Sequence, residues 1–174
     1  TWDQGFYQPV PPLAAVGNYV WNDQDGNGLQ NEPSLAGLNG VTVQLYDSSN
    51  NLIDTMVTAN DVNGNPGYYL FDGLTPGDYY LTFTLPTGFT FTTRGATGSS
   101  DNNDSDPNPA NGRTETFTLS GGEYDPSWDA GLIVPSGDLS LGDRVWNDAD
   151  FDGIYEPAAG EVGVNNVRLN LYRD

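Results

Sequence analysis

Val41, Val43 and Leu45 alternate with Thr42 and Gln44; Tyr79, Leu81, Phe83 and Leu85 alternate with Tyr80, Thr82 and Thr84. A period of two turns one set of side chains toward a core and the other toward solvent, as in a half-buried strand. Further strand signals fall at 19–21, 52–57, 68–71, 89–93, 114–119 and 128–133, separated by Gly, Asn and Pro turns. No segment carries a helical apolar period. Short strands at this spacing predict an all-β chain, an antiparallel β-sandwich of the immunoglobulin-like kind. In the tyrosine pairs 68–69 and 79–80, alternation predicts one ring inside and one on the surface.

The pattern also repeats. Residues 17–46 recur at 142–172: Trp21-Asn22-Asp23 returns as Trp146-Asn147-Asp148, and Val41-Thr42-Val43-Gln44-Leu45-Tyr46 as Val167-Arg168-Leu169-Asn170-Leu171-Tyr172. Thr1-Trp2-Asp3-Gln4-Gly5-Phe6 likewise echoes Ser127-Trp128-Asp129-Ala130-Gly131-Leu132. Repetition on this scale predicts a tandem array. Residues 1–9 read as the last strand of one repeat, 15–133 as a complete repeat, and 139–174 as the first two strands of another. Incomplete sheets have open edges, so pairing is expected with copies of the chain or with adjacent repeats, head to tail.

Composition narrows the function. Twenty-four acids face five bases, all arginine, for a formal charge of −19. Such a balance excludes nucleic acid and anionic membrane surfaces as partners, and no apolar run has the length to enter a bilayer. There is no Cys, His or Lys, which removes thiolate and imidazole zinc sites, Ser–His and Cys–His pairs, and disulfides.

The acids cluster. Asp23-Gln24-Asp25-Gly26-Asn27-Gly28-Leu29 places oxygens at loop positions one, three and five and then a glycine, the first half of an EF-hand calcium loop. Gly28 permits the bend and the Leu29 carbonyl supplies a further ligand. Asp148, Asp150, Asp152, Gly153 and Ile154 repeat the pattern. The flanks read as strands, so these are calcium loops without helices. Position twelve is Ser34 or Ala159 rather than Glu, which leaves Glu32 in the first copy, and Glu156 or Glu161 in the second, as closing ligands. An Asx-rich turn with incidental acids gives the same pattern; two copies in register in so acidic a chain favour Ca2+. Asp101, Asp104 and Asp106 form a second cluster, either a mobile polar loop or one held by a cation, with Asp61, Asn63 and Asn65 as donors from the far side. A glycosidase pair at Asp104 and Asp106 would need an apolar cleft, and an Asn/Asp-rich loop is not one, so no enzyme is expected.

The run from Gly67 to Tyr79, with Tyr69, Phe71, Leu74, Pro76 and Gly77 at fixed positions, resembles the GxYxFxxLxPGxY signature of Gram-positive adhesin B-type repeats. Taken with the two Asp-rich loops, residues 101–107, Gly112-Arg113-Thr114 and Trp128-Asp129-Ala130-Gly131-Leu132, it resembles the calcium-binding B repeats of serine-aspartate adhesins, the SdrD B-like family. The resemblance implies a prealbumin-like (Cna B-type) sandwich in a secreted or cell-surface stalk or extracellular filament, stiffened by calcium. By motif it implies Asp23, Asp25, Asn27 and Leu29, with Asp148, Asp150, Asp152 and Ile154, as first-site ligands, and Asp104 and Asp106 in a second site. An alternative is an adhesive module gripping a matrix protein or glycan. Related repeats carry a Lys–Asn isopeptide bond; without lysine this chain cannot form one.

Overall fold

The computed structural model describes residues 9–33, 36–98, 100–135 and 144–170. The chain divides into two units, Thr1–Pro135 and Ser136–Asp174. The strand expected at residues 1–9 lies almost wholly outside the described residues, as do 139–143 and 171–174 of the expected following repeat and Ser34 of the first loop.

The first unit contains β1 (Ala14–Val16), β2 (Val20–Asn22), β3 (Thr42–Asp47), β4 (Leu52–Val57), β5 (Phe71–Leu74), β6 (Gly77–Phe83), β7 (Thr90–Phe91), β8 (Phe117–Leu119), β9 (Tyr124–Asp125) and β10 (Ala130–Ile133). No α-helix occurs among the described residues. One layer is the sheet β4-β3-β6-β8, antiparallel throughout. Register pairs Val43 with Phe83 and Leu45 with Leu81, so the alternating apolar positions of both strands share one face. The sheets β5-β1-β9 and β2-β10-β7 supply Val16, Val20, Phe71 and Leu132 to the same apolar cluster, which makes the unit a β-sandwich.

Several expectations are corrected. Two pairings are parallel, β1 with β9 and β2 with β10. β1 and β9 were not anticipated, because strands of three and two residues carry no period. The ladder expected at 68–71 begins only at Phe71; Tyr68 instead makes single bridges to Tyr19 and Ala59. β6 ends at Phe83, before Pro86 removes a donor, and Leu85 is exposed. Tyr79 and Tyr80 are both buried. Tyr80 lies on the outer face, yet Tyr46 stacks on it at 5.1 Å and the Arg113 guanidinium sits 3.9 Å from its ring centre.

In the second unit, residues 144–170 hold one bridge, Trp146 to Gly163, and a short 3-10 helix, Pro157–Ala159. The first unit makes the same bridge between Trp21 and Gly37. Val164, Val167 and Leu169 are exposed. Residues 167–170, the counterpart of the start of β3, join no ladder. In the first unit β3 is flanked by β4 and β6, and pairing defines a strand.

Candidate metal centre

β2 runs into the first acidic loop beside β10, and the Asp23 N–H donates to the Leu132 carbonyl at 2.9 Å. Asp23 is 2% exposed. Its Oδ1 accepts the N–H groups of Gly26 (2.8 Å) and Asn27 (3.2 Å), and its Oδ2 accepts the Gly28 N–H (2.8 Å) and the Thr92 hydroxyl. Burial alone raises its pKa, but the bonds from Thr92, Gly28, Gly26 and Asn27 outweigh it and hold the carboxyl below its ordinary range. Asp25 accepts the Asn27 N–H at 3.1 Å, and the Asn27 Oδ1 accepts the Leu29 N–H at 2.7 Å. Gly28 has φ of 78°, and a Cβ there would lie 2.7 Å from the Thr93 carbonyl oxygen. Glu32 closes the loop: Oε1 accepts the Gln24 N–H at 2.9 Å, and Oε2 is buried with no partner. Burial raises the Glu32 pKa, helped by Asp23 and Asp25. One oxygen each of Asp23, Asp25 and Glu32 lie within 4.8 Å of one another.

The second unit repeats this network. Phe151 and Gly153 donate to Asp148, Asp152 to Asp150, and Ile154 to Asp152. Glu161 accepts the Ala149 N–H at 2.9 Å, where Glu32 accepts that of Gln24. Asp148, Asp150 and Glu161 form one acidic group, and Asp150, Asp152 and Glu156 an exposed second one. The Glu beside the loop therefore comes from a different place in each copy.

The third group joins Asp101, Asp104 and Asp106. It abuts the first loop, because Leu29 bridges Asp104 and the Gln30 N–H donates to the Asn103 carbonyl at 2.8 Å. Sequence reasoning missed a further acid that adjoins Asp106, Asp129, at the head of β10. The Asp129 N–H donates to Asp106 Oδ2 at 2.6 Å, and the Asp106 N–H to the Asp129 carbonyl at 3.0 Å. Asp129 is 0% exposed, and neither carboxylate oxygen has a partner; Asp104 Oδ1 is also buried and unpartnered. Burial first, then the neighbouring carboxylates, push Asp129 up to about 9 against the Tyr19 backbone N–H. Burial raises Asp106 to about 8 against the opposing Asp129 N–H. The available signal was Asp3, which echoes Asp129: an acid repeated directly after Trp and two residues before Gly.

Asp61 is not brought to any of these groups. Its Oδ1 accepts the Asn63 and Asn65 N–H groups, and its Oδ2 accepts the Tyr19 hydroxyl and the Asn65 amide. The Leu29 carbonyl accepts the Asn31 N–H at 3.0 Å. The acidic groups offer oxygen donors only, a set that can hold a hard metal ion.

A family model described as the SdrD B-like domain matches residues 14–132. Serine-aspartate repeat-containing protein F of Staphylococcus epidermidis is 36% identical over 171 residues, 98% of this chain and 9% of that protein. Serine-aspartate repeat-containing protein D of Staphylococcus aureus (strain Newman) is 35% identical over 170 residues, 97% of this chain and 11% of that protein. The chain thus spans about a tenth of the length of these relatives. Among solved structures, the Bacillus anthracis TIE protein aligns with 71% of this chain and 17% of its own, at 14% identity and a TM-score of 0.35.

Proposed function

Because the chain belongs to the SdrD B-like domain family, we propose that its structural repeat is stiffened by calcium in the stalk of a bacterial cell-surface protein. The chain is an SdrD B-type structural repeat, not an enzyme. The observation that carries the calcium reading is Asp129, a fully buried carboxylate with only the Tyr19 backbone N–H, outside regular hydrogen-bond geometry, to favour its charge, and with Asp106 and Asp104 as neighbours. An unpaired buried charge is strongly disfavoured. A multivalent cation bound by several carboxylates removes that penalty, and a flexible all-oxygen set suits Ca2+ better than the strict octahedron of Mg2+. Asp101, Asp104, Asp106 and Asp129 would hold one ion, Asp23, Asp25, Asn27 and Glu32 another, and Asp148, Asp150, Asp152 and Glu161 a third. Extracellular modules bind calcium with Kd of ~10⁻⁴–10⁻³ M. At tenfold excess over Kd, each site adds about 1.4 kcal/mol to the folded state. Melting curves of the whole chain in calcium and in chelator test this: the midpoint rises with calcium, and an unchanged midpoint defeats the reading.

Partners in this reading are adjacent repeats. Val164, Val167 and Leu169 expose an apolar face with no ladder, as expected of strands that pair elsewhere. Residues 139–174 of one copy would then complete a sandwich with residues 1–9 of the next, or with the following part of a longer array. Light scattering in calcium separates the outcomes: self-assembly is expected, and a strict monomer refutes exchange between copies.

A further inference from the structure

The basic side chains of the first unit are Arg94 and Arg113, and both line one concavity of about 200 Å³, together with Asn108, Asn111, Thr114 and Glu115. In a chain of charge −19, that unit's positive charge is gathered at a single place. Arg94 is engaged by Glu115 at 2.9 Å. Arg113 is exposed and has no ion-pair partner among the described residues. Its backbone is held on both sides. The Arg113 N–H donates to Asn111 Oδ1 at 3.1 Å, its carbonyl accepts the Asn108 N–H at 2.9 Å, and the buried Thr114 hydroxyl next to it accepts the Leu81 N–H at 3.0 Å. The guanidinium lies 3.9 Å from the centre of the Tyr80 ring, which is itself stacked on Tyr46. Stacking uses the flat face of the guanidinium and leaves its N–H edge to bond. An arginine already ordered in this way loses less freedom on binding.

The wall restricts the ligand. Asn108 Oδ1 accepts the Ala110 N–H and Asn111 Oδ1 the Arg113 N–H, so these carboxamides have donors rather than acceptors left to offer. Guanidinium and amide N–H groups together select an anion. Two arginines against Glu115 leave a net charge of +1, which suits a single negative charge. A planar carboxylate matches the arginine fork. The volume lies below the ~300–1,000 Å³ of small-molecule sites and suits one side chain of a larger partner. A second copy would bring its own −19 and be repelled, whereas a short acidic segment is opposed far less. We propose that this concavity anchors an extended acidic segment of a partner protein, with Arg113 taking one Asp or Glu carboxylate through its N–H fork. The contact uses no metal ion and stands apart from the calcium reading.

NMR titration of the whole chain with a capped peptide of alternating aspartate and glycine tests it, read at the Arg113 side-chain N–H and the Tyr80 ring. A Kd on the order of 1 mM is expected, with the asparagine version of the peptide silent. Arg113→Lys keeps the charge and removes the fork; binding is expected to weaken several-fold at an unchanged melting midpoint. Glu115→Gln releases Arg94 and is expected to tighten binding several-fold, which a merely structural ion pair would not do. Glu115 is 71% exposed, so this variant keeps the test decisive if the stacked arginine proves necessary for folding. Aspartates also meet bound cations, and binding that persists unchanged in Arg113→Lys belongs there and overturns the proposal. Binding of inorganic phosphate but not of the peptide, or self-association that needs Arg113 while the peptide stays unbound, overturns it as well.

Discussion

A carboxylate without solvent or a well-aligned hydrogen-bond donor is ordinarily expelled from a protein interior, and Asp129 is fully buried with only the Tyr19 backbone N–H to oppose the effect of burial. Asp61 sits at the opposite extreme. It belongs to an equally suggestive run, Asp61-Val62-Asn63-Gly64-Asn65, yet it accepts from its own loop's N–H groups and the Tyr19 hydroxyl and joins no group of acids among the described residues. Composition cannot separate the two, since the difference lies in whether the loop's own N–H groups turn inward. The first loop is legible because its spacing is local; Asp129 is not, because β10 meets Asp106 only in the folded sandwich. Position four of the Asp-rich loops carries a second contrast. Gly26 adopts φ of 71° at no cost, whereas Phe151, 90% exposed, adopts 66° in the other copy. A left-handed residue other than glycine costs ~1–2 kcal/mol. Gly26→Ala is therefore expected to weaken calcium binding by roughly fivefold and Phe151→Gly to tighten it as much, about 1 kcal/mol each. Competition with a chelating dye reads both; shifts of the same sign contradict the argument.

Among the elements, β4 lies where alternation and turns place it, and β3 and β6 are displaced by one or two residues. These strands pair with near neighbours in sequence, so local pattern suffices. β1, β9 and the parallel pairs are long-range products. Each joins residues from opposite ends of the repeat, and none is long enough to display a period. The loops behave differently again. The second unit reproduces the side-chain-to-backbone bonds of the first loop although its residues 144–170 form no ladder. Loop conformation is thus written in a handful of consecutive residues, while the contact between Asp106 and Asp129 exists only once β10 and the 101–106 segment meet. Tyr80 shows how neighbours override alternation, since its burial depends on Tyr46 and Arg113.

For the whole molecule, the charge of −19 makes the metal-free fold sensitive to pH. The sign follows from Asp106 and Asp129, whose folded pKa values of about 8 and about 9 exceed the ordinary carboxylate value. Without metal the folded state holds protons that the unfolded state has lost, so stability declines as pH rises from about 4 toward 9. Asp61 works in reverse: its depressed pKa gives stability that is lost only on strong acidification. Calcium requires ionised ligands, so its affinity rises over the window in which the metal-free fold weakens. The central claim is that an ion replaces protons at Asp106 and Asp129. Calorimetric calcium titration at pH 7, in buffers of different ionisation enthalpy, counts those protons directly. Release of about two protons per chain is predicted, falling to about one in Asp129→Asn. Calcium binding with no proton release, or no binding heat at all, would contradict the account.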